Sequence, residues 1–326
     1  NDGIDPIDGK RKSGPVPLKK LEEYQTFEEF YDGYKALLDY YLDLSVKAQY
    51  HSYEVMNQHV SFLFTSLLTD DCIARGKALL DGGVRYLGGT NETYGNINTS
   101  DSLWVIRDLV FNQKKYTLRQ LNDAMLANFN GYEALRKDCL NCDKYGNDLE
   151  TADTMANDLY EFVAKGVRDR GIAIGMQYFL IVISNNQLNT EWGNRTAASP
   201  DGRLSCMYMN PANNPQGGAN KSGPTAMLNS LAKFDAKYHG GSVQNIKFYP
   251  SMFNENRVVI KSLFKTYFAK GGCHLMVTVV DKGVLEDAVE HPENYPDLIV
   301  RVSGFSAVFV DLSPNIQQEL LSRVLS

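Results

Sequence analysis

Apolar residues in the first half of the chain recur at the spacing of a helix. The side chains that fall on one helix face are Phe27, Phe30, Tyr34, Leu37, Leu38 and Tyr41. Thr26 and Glu29 stand in the order of a capping box ahead of this stretch, and Thr117 and Gln120 repeat that order further along. Two more helices are predicted at residues 102–111 and 151–165. The first half is therefore predicted to be mostly helical.

Short apolar runs alternate with helical patterns in the second half. The runs that predict buried strands are residues 172–184, 246–253, 274–281 and 298–302. The helices predicted around them are residues 225–233, 255–269 and 284–290, followed by a last helix that opens at Ser313-Pro314. This alternation is typical of an α/β architecture with a mainly parallel sheet. Residues 193–224 are rich in Gly, Pro and Asn and predict a long loop, which is usually functional or covers another element.

Composition and charge restrict the class of protein and its partners. The chain has 326 residues, of which 43% are hydrophobic and 22% charged, as in ordinary soluble domains. A net charge of -6 argues against a nucleic-acid partner, and no apolar run reaches the roughly 18 residues of a membrane span. Five cysteines favour a reducing cytoplasm over a disulfide framework. Residues 1–6 lack the features of a signal peptide and resemble a turn from inside a domain, so we expect a fragment of a longer protein.

Residues 301–312 form an apolar strand pattern that is interrupted by Ser303-Gly304. From the pattern alone, the glycine indicates a β-bulge or a close backbone contact. The stretch also resembles the glycyl radical motif, Arg-Val-Ser-Gly-Tyr with a following apolar run, which lies near the C-terminus of glycyl radical enzymes. Phe305 stands where tyrosine is usual. The continuation through residues 309–314 is more similar to the dehydratase, decarboxylase and C–N lyase branches than to pyruvate formate-lyase.

Other segments carry the same resemblance, which covers essentially the whole chain. Residues 192–203 are similar to the family's Thr-Pro-Asp-Gly-Arg loop. The remaining matching segments are residues 82–86, 101–103, 144–148, 221–226 and 292–298. We interpret all of these as architectural. The resemblance implies a mostly helical C-terminal part of a pyruvate formate-lyase-like domain at residues 1–190, and a glycine radical domain at residues 191–326.

The resemblance implies that Gly304 is the catalytic residue that stores the radical. Removal of a hydrogen atom from a glycine Cα leaves a radical that can become planar, because no Cβ clashes with its surroundings. The flanking amide nitrogen and carbonyl group delocalise the unpaired electron. Because oxygen and water must be kept away, we expect the glycine loop to be deeply buried.

The family's reacting residue is a cysteine in a Gly-Cys-Val-Glu type of motif, and no such motif occurs in this sequence. In the family that loop precedes the region matching residues 1–3. Cys273 aligns with the start of a strand and is interpreted as a buried structural thiol. Cys139 and Cys142 form a single pair without the second pair of a zinc site, and are interpreted in the same way. The histidines show no ligand spacing, and His239 is predicted to lie in a loop, so we predict no metal and no bound cofactor.

The fold implied by the resemblance is the later half of a ten-stranded α/β barrel, built of two antiparallel five-stranded halves and wrapped in helices. Half a barrel would leave an unpaired sheet edge and a large apolar face, so we expect poor solubility or obligate association. The implied partners are a radical S-adenosylmethionine activating enzyme, which installs the glycyl radical after translation, and the missing N-terminal half or a homodimer partner. The third implied partner is a small-molecule substrate.

Three functional hypotheses follow from these observations. The first is the C-terminal part of an anaerobic glycyl radical lyase or dehydratase, whose isolated chain is inactive because the cysteine is elsewhere. The second is a radical-domain subunit or spare part that complements a separate cysteine-bearing half. The third is a degenerate, non-catalytic homologue, which the intact motif at Gly304 disfavours. The sequence does not name the substrate, because the first half of the barrel also selects it.

Overall fold

The computed structural model describes residues 3–176, 178–183, 188–302 and 305–322. Its α-helices in these ranges are α1 (Phe27–His59), α2 (Leu63–Leu67), α3 (Cys72–Arg75), α4 (Asn96–Val105), α5 (Leu118–Leu126), α6 (Glu133–Asn141), α7 (Glu150–Ala173), α8 (Leu188–Asn194), α9 (Gly223–Leu231), α10 (Pro250–Glu255), α11 (Arg257–Ala269), α12 (Lys282–Glu290) and α13 (Pro314–Ser322). A π-helical segment, Ile106–Asn112, extends α4. None of these described helices has both the length and the apolar character needed to cross a membrane.

The described strands form three separate sheets. They are β1 (Gly88–Glu92), β2 (Tyr178–Ile183), β3 (His239–Ser242), β4 (Asn245–Phe248), β5 (Met276–Val279), β6 (Ile299–Arg301) and β7 (Ser306–Val308). β1, β2 and β3 make a parallel sheet in that order, β4 and β5 make a parallel pair, and β6 and β7 make an antiparallel hairpin. The prediction of an α/β fold with mainly parallel strands is confirmed for the described residues. These strands do not themselves close into a ten-stranded barrel.

The longest helices, α1 and α7, pack closely against each other. Leu42 and Val46 lie one turn apart on α1, and both are buried in the largest core cluster together with Ala164 and Val167 of α7. A Cβ at Gly166 would lie 2.9 Å from Leu42 Cδ1. Glycine at this position therefore lets the two helices approach at the level of Leu42.

Two further apolar clusters lie apart from the largest one. One joins α4, the π-helical segment, α5 and α6, with Leu103, Leu121 and Cys139 at its centre. The other joins α12, the β6–β7 hairpin and α13, and its buried members are Leu285, Ala288, Val300, Val302, Phe309, Ile316 and Leu320. The hairpin that carries the glycine motif thus has a small core of its own.

The predicted helix starts are largely confirmed. At Thr117 the capping box is complete: the Thr117 hydroxyl accepts from Gln120 N at 3.1 Å, and the Gln120 side chain accepts from Thr117 N at 2.9 Å. At Thr26 only one half forms, because the Glu29 carboxylate accepts from Gln25 N at 3.0 Å instead. The last helix begins at Pro314, as its fixed backbone angle suggests.

Two predicted strands were wrong in part. The run at residues 172–184 begins inside α7, whose hydrogen bonds continue to Ile174 N, and Gly175 at φ +87° then ends the helix. The strand predicted at residues 246–253 stops at Phe248, because Pro250 occupies the first turn of α10.

Glycine-rich segments hid two strands from the sequence analysis. β1 contains Gly88 and Gly89, and β3 contains Gly240 and Gly241. His239, predicted to be a loop residue, is the first residue of β3 and is buried. Both strands form because each pairs with β2, and such pairing outweighs the low strand propensity of glycine.

The core of the hairpin region makes a direct stability prediction. Phe309 is fully buried, and its amide donates to Leu298 O at 2.8 Å. We expect Phe309→Ala to lower the free energy of unfolding by about 3–5 kcal/mol, since it leaves a cavity among apolar side chains. Urea denaturation followed by circular dichroism measures this loss. As a control, Val258→Ala removes a side chain that is 78% exposed and should change stability by less than about 0.5 kcal/mol. Equal effects of the two changes would contradict this view of the core.

Candidate functional site

The β6–β7 hairpin frames the predicted radical position. Its register pairs Ile299 with Val308, Val300 with Ala307 and Arg301 with Ser306. Beyond the last pair, Val302 N donates to Phe305 O at 3.1 Å. Ser303 and Gly304 lie outside the described residues, so the predicted site residue itself is located only through its neighbours. In the sequence, Ser303 and Gly304 stand between Val302 and Phe305, whose backbones are joined by this hydrogen bond.

The two sides of the hairpin differ in exposure. Val300 and Val302 face the local core and are only 4% and 2% exposed. Phe305 is 45% exposed and Ile299 is 66% exposed. The expectation of a deeply buried loop concerns Gly304, which is outside the described residues. Among its described neighbours, Val302 is buried and Phe305 is open to solvent in this chain.

Polar contacts fix the hairpin to the helices on either side. Gln317 Nε2 of α13 donates to Phe309 O at 3.0 Å. Before the hairpin, Tyr295 Oη donates to Asp287 Oδ2 of α12 at 2.6 Å, and this bond raises the pKa of the tyrosine. The segment at residues 292–298, which resemblance placed ahead of the glycine loop, therefore positions the hairpin on α12.

The segment with the Pro-Asp-Gly turn is held against α4. Asp201 Oδ1 accepts from Ser199 Oγ at 2.6 Å, which closes the turn. Asp201 Oδ2 accepts from Asn98 Nδ2 at 2.7 Å, and Asp201 N donates to Ser102 Oγ at 3.2 Å. Gly202 has φ +95°, a conformation that favours glycine. These contacts support the architectural role predicted for this loop.

Arg203 is buried, and its guanidinium donates hydrogen bonds to the loop that surrounds it. Its guanidinium donates to Met207 O at 2.9 Å, to Leu204 O at 3.2 Å and to Ala197 O. Burial lowers the pKa of this guanidinium. Such a group closes a loop because each carbonyl that it binds would otherwise be buried without a partner.

Sequence reasoning missed Asp101 as an unusual carboxyl group. It was noted only within residues 101–103, a segment that the structure brings against residues 144–148. Asp101 Oδ1 accepts from Tyr145 N at 2.9 Å, and Oδ2 has no hydrogen-bond partner in the part of the chain that is described. Burial raises the pKa of Asp101 to about 8, although the nearby Lys144 charge opposes the shift. In the sequence, the hint that Asp101 is unusual was the run of polar residues that share a face of α4 with its buried apolar residues.

The cysteines show no sign of a reactive thiol pair. Cys139 is fully buried, and burial raises the pKa of Cys139 to about 12 and that of Cys142 to about 11. Both thiols are therefore protonated at neutral pH, which supports a structural role. Cys273 is exposed. Across the described ranges, no group of three or more His, Cys, Asp or Glu side chains could hold a metal ion.

Comparison with known proteins connects these features. A family model described as pyruvate formate lyase-like matches residues 1–188, and one described as glycine radical matches residues 209–310. The trans-4-hydroxy-L-proline dehydratase of Clostridioides difficile is 32% identical over 326 residues, which is 99% of this chain and 41% of the relative. The probable dehydratase YbiW of Escherichia coli is 32% identical over 314 residues, which is 92% of this chain and 38% of the relative.

A solved structure is similar over the same extent. The glycerol-bound form of the B12-independent glycerol dehydratase from Clostridium butyricum superposes with a TM-score of 0.89 at 31% identity, over 99% of this chain and 41% of that one. The chain thus spans about two fifths of the length of the proteins it matches.

The buried carboxyl group predicts how stability depends on pH. An unfolded aspartate has a pKa of about 3.9, whereas Asp101 has a pKa of about 8, so the folded state keeps a proton that the unfolded chain has lost. The free energy of unfolding should fall as pH rises from about 4 to about 8 and should level off above that. Asp101→Asn should remove this contribution, on the order of 3 kcal/mol between pH 5 and pH 8.

Urea denaturation at several pH values measures the slope for each protein. Asp32→Asn is the matched control, because the Asp32 side chain is 72% exposed. Identical slopes for the wild-type protein and Asp101→Asn would contradict the raised pKa.

Proposed function

Because the chain belongs to the pyruvate formate lyase-like family of glycyl radical enzymes, we propose that it is the C-terminal part of an anaerobic radical dehydratase or lyase that stores its radical on Gly304. The observation that carries this proposal is the glycine motif at residues 301–305, set between the two strands of a hairpin with its own core. In this proposal the radical passes to a cysteine that this sequence does not contain in the required motif.

The hairpin geometry suits the storage of a radical. The backbone on the two sides of the Ser-Gly pair is joined by the bond from Val302 N to Phe305 O. A planar glycyl centre also needs close packing without a Cβ, and only glycine meets that condition.

Dehydration is the reaction that the similar proteins favour. The similar proteins named above are a trans-4-hydroxy-L-proline dehydratase, a probable dehydratase and a glycerol dehydratase. These names support a small hydroxylated molecule as substrate and elimination of water as the reaction. Decarboxylation and C–N cleavage are the other reactions that the sequence resemblance allows.

The radical must be installed after translation, since glycine carries none when it is incorporated. We propose a radical S-adenosylmethionine activating enzyme with an iron–sulfur cluster as the partner that removes the hydrogen atom. The exposed side of the hairpin, with Ile299 and Phe305, is the face that such a partner can reach in this chain.

A second candidate function is a radical subunit that complements a separate cysteine-bearing part. A large apolar surface favours a missing partner of this kind. Its exposed side chains lie between residues 60 and 86, and we call it the 60–86 surface: Val60, Phe62, Leu63, Phe64, Leu67, Leu68, Ile73 and Tyr86. Ser61, Phe62 and Asp71 also have positive φ angles, which side chains rarely adopt without support. We propose that the part of the enzyme present in the longer relatives covers this surface.

Electron paramagnetic resonance after anaerobic activation tests the radical directly. We expect a doublet, because the one hydrogen that remains on the glycine Cα couples to the unpaired electron. Protein grown with α-deuterated glycine should give a collapsed signal. Gly304→Ala should give no signal. Gly283→Ala is the matched control, because an added Cβ there meets only Asp281 Oδ1 at 3.2 Å, and it should keep the doublet.

A doublet that persists in Gly304→Ala would place the radical elsewhere and end this assignment. The isolated chain should show the radical without turnover of any substrate, since the cysteine motif is not in its sequence.

The 60–86 surface predicts association of the isolated chain. Phe64 and Leu68 are 75% and 73% exposed. The double variant Phe64→Lys, Leu68→Lys should shift the chain towards monomer in sedimentation velocity at equal protein concentration, because it places two charges in the apolar surface. The control is Gln25→Lys, Thr154→Lys, which adds the same charges at exposed polar positions. A wild-type chain that is already monomeric at high concentration would count against the surface as an interface.

A further inference from the structure

We propose that Lys247 is a positioning residue that holds the glycine hairpin on the α/β body of the protein. The inference rests on the proposed function, since it assigns a purpose to a buried lysine that is connected through α13 to the hairpin of the predicted radical. It is carried by a line of contacts that runs from β4 through α13 to the β6–β7 hairpin.

Lys247 is anchored in a buried strand of the body. All four residues of β4 are buried, and Lys247 is only 4% exposed. Its neighbours Ile246 and Phe248 belong to the largest apolar cluster. Burial of an ammonium group in such surroundings is costly unless the group finds hydrogen-bond acceptors.

One acceptor lies on the last described helix. Lys247 Nζ donates to Leu320 O of α13. The contact gives a buried cation a hydrogen-bond acceptor, and it fixes the position of α13 relative to β4.

From α13 the contact continues to the hairpin. Leu320 and Ile316 share the small core with Val300, Val302 and Phe309. Gln317 Nε2 donates to Phe309 O at 3.0 Å. A shift of α13 would thus move the strands on both sides of the Ser-Gly pair.

The hairpin core and the main core are separate apolar clusters. Two polar contacts reach from one to the other: Lys247 Nζ donates to Leu320 O, and the amide of Val280, which packs against the hairpin core, donates to Phe248 O at 3.2 Å. Apolar packing does not fix a register as sharply as a directed bond from a charged donor does.

Amide hydrogen exchange tests the link without any radical. We compare Lys247→Met, which keeps the length and loses the charge, with Lys261→Met, which changes an exposed lysine on α11. In Lys247→Met we expect amide exchange in residues 298–309 to become about tenfold faster, because the hairpin opens more often. Exchange in β1 and β3 should stay as in the wild-type protein, and Lys261→Met should change neither region.

Two further variants separate positioning from simple stability. Lys247→Arg should restore slow exchange, since it keeps the charge and a cavity of about 350 Å³ beside Lys247 has room for the larger group. Gln317→Leu cuts the next contact on the line and should speed exchange in the hairpin alone. If Lys247→Met prevents folding, hairpin exchange in Gln317→Leu is compared with that in the wild-type protein and tests the line of contacts instead. Equal hairpin exchange in Gln317→Leu and the wild-type protein would then overturn the proposal.

The radical supplies an independent readout. In the activated protein, the doublet should decay about tenfold faster in Lys247→Met than in Lys261→Met, with Lys247→Arg close to the wild-type protein. Unchanged exchange and unchanged decay in Lys247→Met would overturn the positioning role. Faster hairpin exchange in a protein that never gives a doublet would support the link and refute the radical function, so the two failures can be told apart.

Discussion

The loop of residues 195–222 is buried or half-buried over most of its length, and the polar groups of its buried part must find hydrogen-bond partners inside the protein. Asn98 of α4 forms several of these hydrogen bonds. Its side chain binds Asp201 and Gln216, and it exchanges backbone and side-chain bonds with Asn210. Arg203 serves the carbonyl groups around the turn. This polar helix face therefore explains how a long segment without helix or strand can be an internal part of the fold.

Internal hydrogen bonds are equally important for the smaller β6–β7 hairpin that carries the glycine motif. The hairpin has few residues and a modest core, so its position depends on directed bonds from Gln317 and Tyr295 and on the packing of Phe309. A family of enzymes that keeps a radical on a backbone carbon needs such a support, because the radical has no side chain through which it could be held. In the proposed function, the contacts of the β6–β7 hairpin with α12 and α13 supply this support.

Sequence analysis gave the fold class and several helix starts because those depend on local chemistry. Pro314 and the pair Thr117 and Gln120 act within one turn, and the structure has them as predicted. β1 and β3 escaped because their strand character comes from pairing with β2, which no local pattern of glycines reveals. Gly304 was predicted from its resemblance to a known motif, since periodicity alone indicated only a bulge. Asp101 was missed because its high pKa arises from burial among groups far apart in the sequence.

The parallel sheet carries a consequence for synthesis of the protein. β1 pairs with β2, and the chain between them contains α4 to α7, so β1 leaves the ribosome long before its partner exists. Until then its edge has no neighbour, and the side chains of the 60–86 surface immediately before it are also uncovered. Contacts this distant in sequence form slowly, and nascent chains with open edges aggregate or recruit chaperones. The order in which the strands are translated thus makes early protection of this segment a requirement for the yield of folded protein.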